Sequence, residues 1–284
     1  MDTRKILGVE PISKVCKMCR ERENDADTPE NAAWRAEHEP KCQANYQGSV
    51  PNLEPEGAMR IFSHSVEKHK LVYSEYYGDG DRKSYSLIKE QYAINSVQVQ
   101  NKECVGHVQK RLGTSSHKLK KEMKGMGGKG RLTDSMINRL QNYYGIAIRS
   151  NSGNLPAMRS AIHASLFHCA SSADRKLHLQ HCSEGPTSWC GYMRDRANQT
   201  TYHKHGAGLP LDVIVELKLI FARLSEDNLL SKCLDGKTQN QNEALNAMFW
   251  ERVPKSVFVG PETSQLGIYD AVALFGCQTS VKIL

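Results

Sequence analysis

A short aromatic segment that ends in two acidic residues constrains the fold of this chain more than any other feature. Residues 71–76 (LVYSEY) predict a buried strand, whereas residues 84–91 have the apolar spacing of a helix. Asp79 and Asp81, with Gly80 between them, therefore fall at a strand-to-helix junction, where open α/β sheets place their functional sites. Two carboxylates at a strand end can hold a divalent cation. The alternative is an ordinary turn, because Gly-Asp-Gly-Asp is also typical of loops.

Length and composition limit the class of protein. The 284 residues, of which 39% are hydrophobic, suffice for one large domain or two small ones. No apolar run approaches the roughly 20 residues that span a bilayer, and the first residues lack the apolar core of a signal peptide, so we expect an intracellular protein without a membrane partner. The nine cysteines cluster with histidines, which favours reduced thiols and metal binding over disulfides.

Positive charge is concentrated in one stretch. The formal net charge is +7, and residues 110–131 hold eight basic residues against the single acid Glu122. A basic amphipathic helix is predicted over residues 108–124, and we expect it to contact a polyanion. The glycines at 125–130 lack the pattern of a phosphate-binding loop, which argues against nucleotide binding. The eight basic residues are Lys110, Arg111, Lys118, Lys120, Lys121, Lys124, Lys129 and Arg131.

Two pairs of residues near the N-terminus have the spacing of a zinc site. Cys16 and Cys19 can bind one edge of a tetrahedral zinc ion, and His38 with Cys42 can bind the opposite edge. The alternative is a set of ordinary reduced cysteines beside an exposed histidine. Residues 5–13, which precede these pairs, predict a strand.

A second segment rich in cysteine and histidine lies at residues 178–205. It has no regular secondary-structure pattern, so we expect zinc to order it, bound by Cys182, Cys190 and two nearby histidines. Trp189, beside Cys190, is predicted to be local core rather than a platform for base stacking. The sequence does not choose among the histidines of this segment, which are His178, His181, His203 and His205.

Two further positions allow both a chemical and an ordinary interpretation. Cys104 and His107, which follow a predicted strand at 97–105, can bind metal or can be a buried thiol and a hydrogen-bonded histidine at a helix start. Glu243 lies in the first turn of a predicted helix, where a glutamate ordinarily complements the helix dipole at the surface. Other helices are predicted over residues 56–69 and after Thr133, Asn154 and Pro210.

Together these motifs resemble the Mutator-like transposase domain, a member of the DDE transposases with an RNase H-like catalytic core. The resemblance extends over the whole chain. The residues that carry it are SVEKH (65–69), GDGD (78–81), ECVGHVQKR (103–111), GRLTD (130–134), LQNYYG (140–145), SWC (188–190) and GKTQN (236–240) followed by Glu243.

The resemblance implies an α/β fold with a mixed sheet flanked by helices, a helical insertion and zinc-binding segments. It divides the chain into four parts. Residues 1–50 hold a strand and the first zinc segment, and residues 51–110 hold part of the core with the Asp79 strand. Residues 111–232 form the basic and helical insertion with the second Cys/His segment, and residues 233–284 carry Glu243.

The resemblance also assigns roles to residues. Asp79 corresponds to the second acid of the DDE set, with Asp81 as the alternative, and Glu243 corresponds to the third. Cys104 and His107 match the family's Cys-x-x-His element. Carboxylates of this kind hold two divalent ions, Mg²⁺ or Mn²⁺, that activate water or a DNA 3′ hydroxyl for attack on a phosphodiester. Zinc would be structural, and the partners would be transposon ends and target duplex in the nucleus, with a homo-oligomer left open.

One departure from the family pattern concerns the first acid. It lies on the first strand of an RNase H-like core, whereas this chain begins near the turn into the third, and Asp2 is a poor substitute. In the expected strand order 3-2-1-4-5, residues 5–13 are strand three, the strand before Asp79 is strand four and residues 97–105 are strand five. We therefore expect the chain to be N-terminally shortened and inactive in DNA cleavage by itself.

Two alternatives to a transposase remain. One is a domesticated DNA-binding protein that keeps the zinc segments and the basic helix without cutting DNA. The other is a zinc-stabilised module for protein interaction, which would not bind DNA.

Overall fold

The computed structural model describes residues 6–78, 80, 82–92, 97–170, 175–204, 206, 208–257 and 259–280. The chain forms two compact units. The first comprises Met1–Tyr76, Asp81–Gln100 and Asn240–Leu284, and the second comprises Tyr77–Gly80 and Asn101–Gln239.

The first unit is helical and has a small apolar core. Tyr92 is central to this core, because its hydroxyl accepts from the backbone N–H of Tyr73 (3.0 Å) and lies 2.9 Å from the hydroxyl of Ser65. Phe62, Ile88 and Val99 pack with it. The helices are α1 (Lys17–Glu21), α2 (Pro29–His38), α3 (Leu53–Ser63), α4 (Ser65–His69), α5 (Arg82–Gln91), α13 (Asn240–Arg252) and α14 (Pro261–Ser280), with 3₁₀ turns at Glu39–Lys41 and Val50–Asn52.

The second unit has a larger core, formed mainly by its long helices. Leu112, Ile137, Tyr144, Ile162 and Phe221 are fully buried there. Two predicted helix starts are confirmed, because the side chains of Thr133 and Asn154 accept hydrogen bonds from N–H groups of the first turns that follow. The helices are α6 (Val105–Glu122), α7 (Asp134–Arg149), α8 (Leu155–His168), α9 (Arg175–His181), α10 (Gly191–Asn198), α11 (Leu211–Leu224) and α12 (Asp227–Leu230), with a 3₁₀ turn at Ser231–Cys233.

Two short strands pair in parallel where strands four and five were expected to be neighbours. Strand β1 (Glu75–Gly78) and strand β2 (Gln100–Glu103) form a two-stranded sheet. The backbone N–H of Gln100 donates to Ser74 (2.8 Å), and that of Cys104 donates to Gly78 (3.3 Å). The strands are shorter than predicted, but their pairing agrees with the expected order.

The prediction of a strand at residues 5–13 is wrong for its described part, 6–13, which contains neither helix nor strand. Asn45 supplies the physical reason. Its side chain accepts from the Ser13 N–H (2.9 Å) and donates to the Pro11 carbonyl (2.9 Å), and its backbone N–H donates to the Ser13 carbonyl (3.0 Å). These bonds satisfy backbone groups that a strand would use in a sheet.

Other predictions about helices also need correction. Residues 178–205 contain the end of α9 and all of α10, so the segment is more regular than predicted, and the helix predicted over 56–69 is two helices, α3 and α4. Helix α13 has no fully buried residue. The described part of the chain is mainly helical, and β1 and β2 are its only sheet. None of its helices combines the length and the apolar character that crossing a membrane requires.

Candidate functional site

The first candidate metal centre, which we call the first Cys/His group, consists of Cys16, Cys19, His38 and Cys42. One donor atom from each of these residues lies within 4.8 Å of the others. The Sγ atom of Cys16 is 3.2 Å from Nε2 of His38, and the Sγ atoms of Cys19 and Cys42 are 3.5 Å apart. The structure therefore brings together all four residues that the spacing predicted.

Local structure explains how these donors are positioned. Cys16 immediately precedes α1 and Cys19 lies within it, so one helical turn carries both thiols. Thr28 caps α2 by accepting from the N–H of Asn31, and this helix ends at His38. Trp34, one turn before His38, stacks on the imidazole with ring centroids 4.7 Å apart, which orients the ring.

The thiols of this group have strongly shifted pKa values. Burial acts to raise the pKa of Cys16, but hydrogen bonds from the backbone of Cys19 and Gln43 and from the side chains of His38 and Cys19 outweigh it, and the pKa falls to about 6. Burial, followed by the interactions with Cys42 and Cys16, raises the pKa of Cys19 to about 12. At least one thiol of this group is therefore readily deprotonated. A cation bound between the sulfur atoms would stabilise thiolates that lie this close together.

The second candidate metal centre, the second Cys/His group, consists of His168, His178, Cys182 and Cys190, whose donor atoms also lie within 4.8 Å of one another. Cys182 Sγ is 3.7 Å from Nδ1 of both histidines, and Cys190 Sγ is 3.5 Å from Nδ1 of His178. Both cysteines and His178 are buried.

Both groups fit zinc by donor chemistry and by distance. Tetrahedral Zn²⁺ with thiolate and imidazole ligands has donors about 3.3 to 3.8 Å apart, and the distances above fall in or next to that range. The second group pairs two thiolates with two neutral imidazoles, so a bound Zn²⁺ would be neutralised. Interaction with Cys182, followed by that with His168, lowers the pKa of Cys190 well below that of an ordinary thiol against the effect of burial.

The sequence pattern predicted both cysteines of the second group and included His178 among the candidate histidines, but it did not point to His168. This histidine is the last residue of α8 and lies ten residues before His178, outside the cysteine- and histidine-rich segment at 178–205. His181 is directed elsewhere, because its ring stacks on Phe167 with centroids 4.0 Å apart. His203 belongs to neither group and lines a neighbouring cavity, and His205 lies outside the described residues. The position of His168 in the last turn of the helix predicted after Asn154 is the signal that could have pointed to it.

The prediction that Trp189 is local core is wrong, because 47% of this residue is exposed. Its ring lies at the surface in tilted contact with the rings of His168 (centroids 4.7 Å apart) and Tyr143 (6.4 Å).

A third site lies where β1 and β2 end. The backbone N–H of Gln239 donates to Sγ of Cys104 (3.2 Å), and its side-chain amide donates to the carbonyl of Tyr77. The hydroxyl of Tyr77 donates to Asp235 (2.6 Å), whose carboxylate also pairs with Lys102 at 3.0 Å. These contacts, led by the hydrogen bond from Tyr77, hold the pKa of Asp235 below its usual value. Hydrogen bonds and an ion pair therefore connect residues 235–239 to the ends of both strands.

The glycine between the two predicted catalytic acids has a special conformation. Gly80 has a φ of 101°, and a Cβ at this position would clash with the guanidinium of Arg111. Arg111 in turn donates to Glu103 at 2.7 Å. A residue with a side chain would be strained and obstructed here, which explains the glycine.

The predicted catalytic and Cys-x-x-His residues have different outcomes. Asp79 and Asp81 lie outside the described residues, so their grouping with Glu243 stays a prediction. Glu243 is exposed in the first turn of α13, which begins directly after Gln239. Cys104 and His107 belong to neither described Cys/His group, and the buried Cys104 thiol accepts the bond from Gln239.

The predicted basic residues divide into two sets. Arg111, Lys120 and Arg131 form ion pairs with Glu103, Asp134 and Asp212, respectively. The other five basic residues are exposed: Lys110, Lys118, Lys121, Lys124 and Lys129. The Nζ atom of Lys118 lies 3.9 Å from a carboxylate oxygen of Glu122.

A cavity of about 450 Å³ adjoins helix α6. His107, Lys110, Arg111 and Arg223 line it, and no acidic residue is among its described lining residues. Because Arg111 also contacts Glu103 at the end of β2, this basic surface is continuous with the strand-end site.

Comparison with known protein families places the chain in a class of transposases. A family model of Mutator-like transposases matches residues 1–190, which is more than half of the chain. The chain belongs to the Mutator-like transposase family. No curated protein and no solved structure matches it.

Proposed function

We propose that this chain is a DNA-binding domain of a DDE transposase and carries two of its metal-binding acids, Asp79 and Glu243, on an RNase H-like core. Asp81 is the alternative to Asp79. The chemistry is metal-dependent cleavage and transfer of DNA strands in the nucleus. Transposon ends and the target duplex are the substrates.

One observation supports the catalytic part of the proposal most strongly. Three segments that are distant in sequence meet at the strand ends of the second unit. The first ends in Gly78, the second begins at Cys104, and the third ends in Gln239, 135 residues after Cys104. Hydrogen bonds between Gln239, Cys104 and Tyr77 join them. Asp79 follows the first segment directly, and Glu243 follows the third after four residues.

The acids supply the kind of ligand that the proposed ions require. Oxygen donors suit Mg²⁺ and Mn²⁺, which polarise the phosphodiester and lower the pKa of bound water when they are held by carboxylates. Arg111 is placed to attract a phosphate, because its guanidinium lies beside Gly80 and lines the basic cavity. The bond to Glu103 holds that guanidinium in place.

Helix α6 provides a surface for the DNA backbone. With 3.6 residues per turn, Lys110, Lys118 and Lys121 fall on one side of the helix over a length of about 16 Å. All three side chains are exposed. Contacts of this kind position DNA without reading its sequence, so binding should weaken steeply with salt.

Nicking of a duplex in Mn²⁺ tests the proposal when the chain is compared with a version fused at its N-terminus to a strand that carries a first acid. Because the chain by itself is expected to be inactive, we expect nicking only by the fused version, and we expect Asp79→Asn or Glu243→Gln in that version to abolish it. Glu251→Gln is a matched control, because Glu251 is an exposed acid on the same helix as Glu243. If nicking survived in both Asp79→Asn and Asp81→Asn, neither aspartate would be a catalytic metal ligand.

A second candidate function is DNA binding without catalysis. The two Cys/His groups and the exposed lysines of α6 favour it, because they are complete without the acids. Salt-sensitive binding of a duplex that the version fused to a first-acid strand also fails to nick in Mg²⁺ or Mn²⁺ would select this candidate. A chain that binds no duplex at low salt would exclude both.

A further inference from the structure

A basic cavity of the second unit lies beside the second Cys/His group. Its volume is about 380 Å³, and its basic lining residues are Arg131, Arg139, His203 and Lys204. Among its described lining residues none is acidic. Zinc bound to two thiolates and two imidazoles would add no net charge, so the formal positive charge at the cavity is that of Arg131, Arg139 and Lys204.

Arg131 reaches the cavity from the glycine-rich loop at 125–130. Met126 is buried and anchors this loop, and the N–H of Leu132 donates to its carbonyl (3.0 Å). One terminal nitrogen of Arg131 pairs with Asp212, whereas its Nε atom is buried without a hydrogen-bond partner within the described structure. Arg139 and Lys204 are exposed. The cavity therefore offers positive charge that the contacts within this unit only partly neutralise.

An aromatic surface adjoins this cavity. Tyr143 and His168 both line the cavity and both contact the ring of Trp189. Because these two tilted ring contacts hold the indole while 47% of Trp189 is exposed, the ring offers a fixed aromatic surface to a ligand.

We propose that this place binds an unpaired nucleotide of a DNA strand, with the base stacked on Trp189 and the adjoining phosphates in the basic cavity. Exposed aromatic rings next to clustered positive charge are the combination with which proteins bind single-stranded nucleic acid. In an intact duplex both faces of each internal base are covered by its neighbours, so Trp189 selects ends and tails that are unpaired. This inference rests on the proposed DNA-binding function and adds a preference that α6 does not provide.

The test compares a blunt duplex with the same duplex carrying a short unpaired tail that contains 2-aminopurine. We expect the wild-type chain to bind the tailed duplex more tightly and to quench the 2-aminopurine fluorescence. Trp189→Ala should weaken binding of the tailed duplex about 5- to 150-fold and remove the quenching. Binding of the blunt duplex should change less than about twofold, because phosphate contacts elsewhere dominate it.

Matched variants separate stacking from other effects. Trp250→Ala removes an exposed tryptophan of the first unit and should leave both DNAs bound as before. Trp189→Phe keeps a ring and should retain most of the quenching. Arg139→Ala with Lys204→Ala should weaken binding of the tailed duplex and reduce its salt dependence, and this variant is decisive if Trp189→Ala loses zinc or fails to fold.

The outcomes also separate this inference from the proposed function. Equal binding of the tailed duplex by wild type, Trp189→Ala and the Arg139 and Lys204 double variant would overturn the inference while DNA binding stands. If the wild-type chain bound the tailed duplex but not the blunt duplex, the proposed contact of α6 with duplex DNA would be wrong, whereas this inference would stand. Tight binding of a free mononucleotide, with no gain from the tail, would show a small-molecule site and overturn it.

Discussion

The two Cys/His groups have the same donor chemistry, but they are built into very different surroundings. Around the first group, α1 contributes no buried residue and α2 contributes only His38, so few apolar contacts support it. The second group takes His168 from the end of α8, whose inner face is part of the large core of the second unit. Metal must order the first region almost alone, whereas packing already orders much of the second.

The largest effect should come from removing zinc. With a strong chelator, or in Cys16→Ser, residues 16–42 should lose nearly all of their protection from hydrogen exchange, because binding of structural zinc is worth about 10–16 kcal/mol in small zinc folds. Helices α6 and α7 should keep their protection. Retained protection at 16–42 without metal would break the contrast between the two regions.

The second prediction concerns the histidine that only the structure reveals. His168→Ala should reduce zinc by one ion per chain, or weaken that ion by more than the roughly 10- to 100-fold that the loss of an outer-shell partner costs. His181→Ala should leave the zinc content unchanged, because this ring stacks on Phe167. Elemental analysis of the two variants side by side decides, and the reverse result would remove His168 from the group.

The third prediction tests whether polar contacts hold the strand ends in the second unit. Asp235→Asn should lower the free energy of unfolding by about 1–3 kcal/mol near neutral pH, because Lys102 and Tyr77 lose an ionised partner. The pKa of Asp235 is lowered on folding, so its stabilisation is complete above the unfolded pKa of about 3.9 and is lost as pH falls through the lower folded value. Urea titrations should therefore show the two proteins converging in acid. A constant difference at all pH values would contradict this reason.

The smallest expected effect is a change in the salt dependence of duplex binding, which should depend on lysines of the second unit and not on those of the first. Lys121→Gln, on the exposed face of α6, should reduce the slope of log affinity against log salt for duplex DNA by about 0.9. Lys41→Gln, at an equally exposed lysine of the first unit, should leave the slope unchanged. Equal slopes for both variants and wild type would place the duplex contact elsewhere.

The contrast also explains what could be predicted from sequence. The first Cys/His group is local, with Cys16 and Cys19 three residues apart and His38 close to Cys42, so spacing alone identified it. The second Cys/His group also includes His168, which lies ten residues before His178, and that spacing does not indicate a shared metal site. The resemblance predicted that β1 and β2 are neighbours, and they pair. The strand predicted over 5–13 is absent from its described part, 6–13, because Asn45 satisfies backbone groups there. Burial of Trp189 depends on neighbours that only folding brings together.

Manganese binding tests most directly whether the strand ends form a metal site. Free Mn²⁺ can be counted from its electron paramagnetic resonance signal during titration into the zinc-loaded chain without DNA. We expect wild type and Glu251→Gln to bind Mn²⁺ equally, and Asp79→Asn to bind it at least about tenfold more weakly, because carboxylate oxygen is the ligand that Mn²⁺ prefers. Equal binding by wild type, Asp79→Asn and Asp81→Asn would contradict the assignment of a catalytic metal site to these acids.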